Sequence, residues 1–178
     1  PADRPARGGA PQRWWRMSET KLLHVFEAGE FCEGVPEGGR LVIFLAHDRT
    51  PRTLAVGCLV RTVAPGGEVV RSELVQLLAH SNGVRTCIEL THHETDQPAP
   101  GPVWGHNHPA PFSSAEFWTD DYAVGLRLEW EDGECIYCLN PSSSGDNPDV
   151  FLYRGTPEDG TPILHVNVGL SPKESDDA

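Results

Sequence analysis

The fold class turns on Glu68-Val69-Val70-Arg71-Ser72-Glu73-Leu74-Val75-Gln76-Leu77-Leu78-Ala79-His80. Val70, Leu74, Leu77 and Leu78 fall at i, i+4, i+7 and i+8, an apolar stripe at the helical period. Asn82-Gly83 follows where such a helix would stop. The spacing predicts an amphipathic helix over 68–80. Pro65-Gly66-Gly67 separates it from what precedes.

Upstream, Leu22 to Phe26 is a short apolar piece and 29–39 is loop-like. The run Arg40-Leu41-Val42-Ile43-Phe44-Leu45-Ala46 has strand length and the continuous apolar character of a strand buried on both faces. Past the turn Asp48-Arg49-Thr50-Pro51, residues 53–62 read as its hairpin partner. Downstream, 85–90 is a strand that leads into a polar stretch at 91–101. A second, shorter helix is expected over 114–124. Leu126, Leu128 and Trp130 then alternate with Arg127 and Glu129, and Asp132-Gly133 is a hairpin turn into a strand at 134–139. Residues 141–148 form a polar loop. Strands at 149–154 and 163–168 close the chain around the turn Pro157-Glu158-Asp159-Gly160. There is no internal repeat. The sum is an α+β domain of α/β/α sandwich type, a mixed β-sheet flanked by two principal helices.

Residues 1–19 read as a flexible extension, rich in Pro, Gly, Ala and Arg, with Met17-Ser18-Glu19 as a more natural start. Residues 20–170 form a single domain, and 171–178 are an acidic tail. With 178 residues the chain suffices for one sizeable core. The formal charge of −12 excludes nucleic acid and anionic membrane as natural partners. No apolar run approaches the roughly 20 residues that span a bilayer. The five cysteines are odd in number and no secretory h-region is visible, so reduced thiols in a cytoplasmic protein are expected. Cys135-x-x-Cys138 has no second pair. In a strand its sulfurs fall on opposite faces, which favours core packing over a zinc or redox role.

Chemistry concentrates in Trp104-Gly105-His106-Asn107-His108-Pro109-Ala110-Pro111-Phe112-Ser113-Ser114-Ala115-Glu116. On an extended strand, residues i and i+2 share a face, so His106 and His108 can grip one metal ion together. A carboxylate from the next element would complete three protein ligands and leave a position for water.

His106-Asn107-His108-Pro109, with Ser113-Ser114-Ala115-Glu116 after it, resembles the H-x-H-P…S-x-x-D signature of JAB/MPN domains, the family of JAMM metalloproteases and RadC-like proteins. The resemblance spans roughly residues 36–168 in organisation, but only about 11 residues carry motif identity. It implies Zn²⁺ held by His106, His108 and Glu116, with Asp120 or Asp121 as alternatives to Glu116. The implied base is Glu37, with Glu33 and Glu73 as rivals, and Ser113 becomes the hydrogen-bond donor to an oxyanion. The implied activity is hydrolysis of a peptide or isopeptide bond in a protein substrate, commonly after a ubiquitin-like or sulfur-carrier Gly-Gly tail. The sequence departs from the pattern in its shorter Pro-to-Ser loop, in Glu for Asp at 116, and in lacking a Gly-Leu-Leu-Gly-like strand at 41–46.

Each of these residues also has a plain reading. Ser113-x-x-Glu116 is a capping box, Trp104 and Trp118 suit a core as well as a substrate channel, and His92-His93-Glu94 suits a solvated loop. Two other classes stay open. One is an acidic protein-binding module, adaptor or immunity protein, catalytically inactive. The other is a cupin-like metal protein, although Glu116 lies eight residues past His108 where four or five is usual there.

Overall fold

A computed structural model describes residues 21–28, 37–98, 101–119, 123–140, 149–155, 158 and 161–168. Eleven strands run through them: β1 (Lys21–Ala28), β2 (Arg40–Arg49), β3 (Thr53–Val63), β4 (Val69–Ser81), β5 (Thr86–Glu94), β6 (Trp104–His108), β7 (Ser114–Thr119), β8 (Val124–Glu129), β9 (Cys135–Asn140), β10 (Asp149–Arg154) and β11 (Leu164–Asn167). They form two antiparallel sheets, one in the order β1-β2-β3-β4-β5-β6, the other in the order β11-β10-β9-β8-β7. The expected α+β sandwich with a mixed sheet and two helices is therefore corrected to an all-β, two-sheet architecture. Among the described residues there is no α-helix.

Both misread helices have a physical explanation. Residues 68–80 become β4, a central strand paired along its length with β3 and β5. Its inward row includes Glu73, Val75, Leu77 and Ala79, and Leu74 on its outward row is also buried. Burial on both faces blurs the two-residue alternation, so the same apolar residues match a helical period by coincidence. Asn82-Gly83 is a hairpin turn here: the Asn82 side-chain oxygen accepts from the backbone N–H of Val84 at 2.8 Å and Arg85 at 2.9 Å, and Gly83 takes φ +92°. Residues 114–119 form edge strand β7, paired only with β8. Adjacent Phe117 and Trp118 are better strand than helix formers, and they point to opposite faces. Residues 120–122, the rest of that expected helix, lie outside the described residues, as do 141–148 and most of the 157–160 turn.

The remaining strands lie where their apolar patterns place them. Their inward faces meet in one core, from Leu41, Ile43, Leu45, Val56, Cys58 and Val60 on the first sheet to Leu126, Leu128, Ile136, Cys138 and Leu152 on the second. Among the described residues, Trp130, just past β8, is the largest fully buried side chain. On the outer face of the second sheet, Trp118 lies over Gly125, its cross-strand neighbour. A Cβ at Gly125 would sit 2.3 Å from the indole, so this pairing needs glycine. Cys138 is buried and Cys135 only half-buried, on alternate sides of β9. Burial pushes the Cys138 thiol up to about 12, so it packs in the core as a protonated thiol.

Candidate metal centre

β6 is the edge of the first sheet, bound only to β5. His106 lies opposite Ile88 and His108 opposite Thr86, so both histidines face inward, toward the end of the second sheet. There the hairpin between β8 and β9 supplies Asp132 and Glu134, and the end of β10 supplies Arg154. The His-x-His spacing thus puts both rings on one face, 6.1 Å apart between centroids.

His108 is buried and fixed on three sides. Its ring stacks on Trp130 at 4.5 Å with planes 10° apart. The Ala110 backbone N–H donates to its Nδ1 at 3.2 Å, and its Nε2 lies 3.0 Å from Asp132 Oδ2 and 3.7 Å from Glu134 Oε1. Because Nδ1 accepts, this network assigns the ring proton to Nε2, which donates to Asp132. Trp130 is anchored in turn, its Nε1–H donating to Ala110 O at 3.2 Å and Thr86 Oγ1 at 3.3 Å. Asp132 accepts from the backbone N–H of Glu134 at 2.9 Å. That bond is the main reason its carboxyl is held below the ordinary carboxylate value, with His108 adding to it.

Donor atoms of His108, Asp132 and Glu134 all lie within 4.8 Å of one another, the one such His/Cys/Asp/Glu group among the described residues. The imidazole backs onto the core, while the two carboxylate side chains are 51% and 50% exposed. One nitrogen and two carboxylates, with solvent on the open side, suit a divalent ion such as zinc. Ligation through Nε2 requires its proton to move to Nδ1, toward the Ala110 N–H. That hydrogen bond, worth about 1 kcal/mol, must then yield.

His106 is held differently. Its ring packs against Trp104 and edge-on to Trp130, at 6.1 and 6.3 Å. Arg154 Nη2 donates to Nδ1 at 3.4 Å, leaving the ring proton on Nε2, a buried atom with no hydrogen-bond partner. Burial, then the Arg154 charge, lower its pKa from the ordinary 6.5. A group with a depressed folded pKa binds fewer protons folded than unfolded. Stability therefore falls as pH drops below 6.5 toward the folded value, and that loss levels off below it. His106→Gln is expected to flatten the Tm-against-pH curve between pH 7 and 5. An unchanged slope would place the acid sensitivity elsewhere.

The other residues of the sequence motif are placed apart from the two imidazoles. Glu116, on β7, is 66% exposed in its side chain and pairs with Arg127 of β8 at 3.3 Å. Ser113 Oγ donates to Glu129 O at 3.0 Å. Glu37 is exposed in the turn ahead of β2. Glu73 is buried in β4 and bonded to His92 at 2.8 Å and Arg71 at 3.2 Å. His92-His93-Glu94 forms the end of β5, not a loop. Ser81 of β4 pairs with Thr86, the partner of His108, so Glu73 lies eight residues, about 26 Å of strand, from the centre. Glu33, Asp120 and Asp121 lie outside the described residues.

Asp132 and Glu134 escape the sequence reading because Asp132-Gly133 is already explained as a turn, with Gly133 at φ +95°. The one available signal is alternation: Glu134 shares parity with inward-facing Ile136 and Cys138. No helix among the described residues is long and apolar enough to cross a membrane. No family model matches this chain, and neither does any curated protein or solved structure.

Proposed function

We propose that this protein binds a divalent metal ion, zinc foremost, through His108, Asp132 and Glu134, and uses it to hydrolyse an amide bond in a protein or peptide. The observation that carries the reading is the convergence of one buried imidazole and two half-exposed carboxylates within 4.8 Å. A bound zinc supplies a water of lowered pKa and polarises a carbonyl. The chain's own residues then divide the remaining work. Trp130 and Ala110 fix the His108 ring, the Glu134 backbone N–H keeps Asp132 ionised, and the open side admits substrate.

Zinc uptake by tag-free protein, followed by calorimetry, tests the reading. Wild type is expected to take up zinc stoichiometrically, with affinity falling on acidification because ligation displaces a proton. The double variant Asp132→Asn, Glu134→Gln is expected to lose at least about 10- to 100-fold in affinity, the range seen when even outer-shell partners are altered. Equal binding by wild type and variant rejects these ligands.

One observation favours a second reading. The Ala110 N–H and Asp132 already satisfy both nitrogens of His108, as suits a hydrogen-bonded clamp in an acidic protein-binding module without metal. Absence of zinc uptake selects that reading.

A further inference from the structure

We infer that the open end of the sandwich also takes an oxyanion, a carboxylate or phosphate group, with Arg154 as its second anchor beside the metal. This rests on the metal reading above and specifies the ligand class of the same site.

Two other arginines among the described residues are neutralised by carboxylates. Arg127 holds Glu116 and Glu129 at 3.3 and 3.0 Å, and Arg71 holds Glu73 and Glu94, both at 3.2 Å. Arg154 differs. Its Nη2 reaches His106 at 3.4 Å, and Glu134 Oε1 lies 3.7 Å from the neighbouring His108 ring, whose centroid is 6.1 Å from that of His106, yet no ion pair joins Arg154 to Glu134. Among the described residues its one hydrogen bond is the 3.4 Å contact to His106 Nδ1. It is exposed at the end of β10, opposite Ile136, which places it at the mouth into which His108 and Glu134 open. The guanidinium fork therefore keeps donors available for a planar or tetrahedral oxyanion. The His106 ring lies behind it and orients it.

Charge supplies the second half of the argument. Without an ion, Asp132 and Glu134 repel an anion at this mouth. A divalent ion cancels both carboxylates and leaves Arg154 as net positive charge. Anion binding is then coupled to metal binding, and each tightens the other by the same factor.

The test begins with zinc uptake alone and continues with methylphosphonate, acetate and neutral acetamide titrated into zinc-loaded and zinc-free protein. Calorimetry and the His106 ring-proton shifts are the readouts. Expected is binding of acetate or methylphosphonate, stronger with zinc, with no response to acetamide. The tighter of the two probes identifies a carboxylate or a phosphate source. Arg154→Ala is expected to weaken it roughly 10- to 100-fold, as for a lost hydrogen bond to a charged group, and Arg154→Lys by less. Arg154 is exposed, so both variants should retain the wild-type Tm. Zinc uptake with anion binding indifferent to Arg154→Ala, or an equal response to acetamide, overturns this inference and leaves the metal reading intact. Absence of zinc uptake overturns both.

Discussion

Trp130→Ala is expected to destabilise the protein by about 3–5 kcal/mol, the range for removing a buried Trp or Phe. The side chain is 1% exposed and joins the two sheets: it leaves β8, and its N–H reaches the Ala110 carbonyl and the Thr86 hydroxyl. Its ring is the surface on which His108 stacks. Trp130→Phe separates the components. Phe retains most of the apolar contact and loses the N–H bonds, for an expected cost of about 1–2 kcal/mol, the usual penalty for leaving a buried acceptor short. Denaturant midpoints measure both. The alanine variant should also lose zinc affinity beyond what stability explains, because the ring that fixes the imidazole is gone. A stability change below about 1 kcal/mol for Trp130→Ala would show that the core does not depend on this joint.

Arg71→Ala is expected to cost a similar amount, about 3–5 kcal/mol, the range for removing one partner of a buried ion pair. Glu73 is 2% exposed, pairs with Arg71 at 3.2 Å and accepts from His92 at 2.8 Å. Its charge also acts on the buried Cys58 thiol, which burial first and Glu73 second push well above the ordinary value. Without Arg71 the carboxylate is left in the core's margin with less compensation. Adding Glu73→Leu to Arg71→Ala is expected to recover most of the loss, since an apolar side chain at that inward position extends the row of Val75, Leu77 and Ala79. Chemical denaturation of the two single variants and the double variant reads the coupling. A double variant as unstable as Arg71→Ala alone would show that the buried charge is not the source of the cost.

Strands over 41–46, 53–62, 85–90, 134–139 and 149–154 were legible because each has the run or alternation of a sheet buried on at least one face. Residues 68–80 were not, because β4 buries Leu74 on one face and Leu77 on the other, and a two-sided strand has no clean period. Residues 113–116 misled in another way: Ser-x-x-Glu is the local signal of a helix cap, and cross-strand pairing to β8 overrode it. At the candidate site, the shared face of His106 and His108 follows from strand geometry alone. The third and fourth participants do not. Asp132 and Glu134 come from a hairpin 24 and 26 positions past His108, brought to it by sheet packing that no local pattern encodes.

The strand order has a consequence for assembly. Residues 21–108 supply every strand of one sheet and 114–167 every strand of the other, and each hydrogen-bonded neighbour is also a sequence neighbour. Each half can therefore zip up from local hairpins, with low loop-closure cost at every step, before the halves dock. His108 belongs to the first half, while Asp132 and Glu134 belong to the second. An ion bound by all three, as proposed, would recognise only the docked pair and would act as a latch across the seam. At a free concentration 100 times its dissociation constant, such an ion adds about 2.7 kcal/mol to the docked state. Metal supply would then govern how long the two halves stay together, as well as what their joint surface can do.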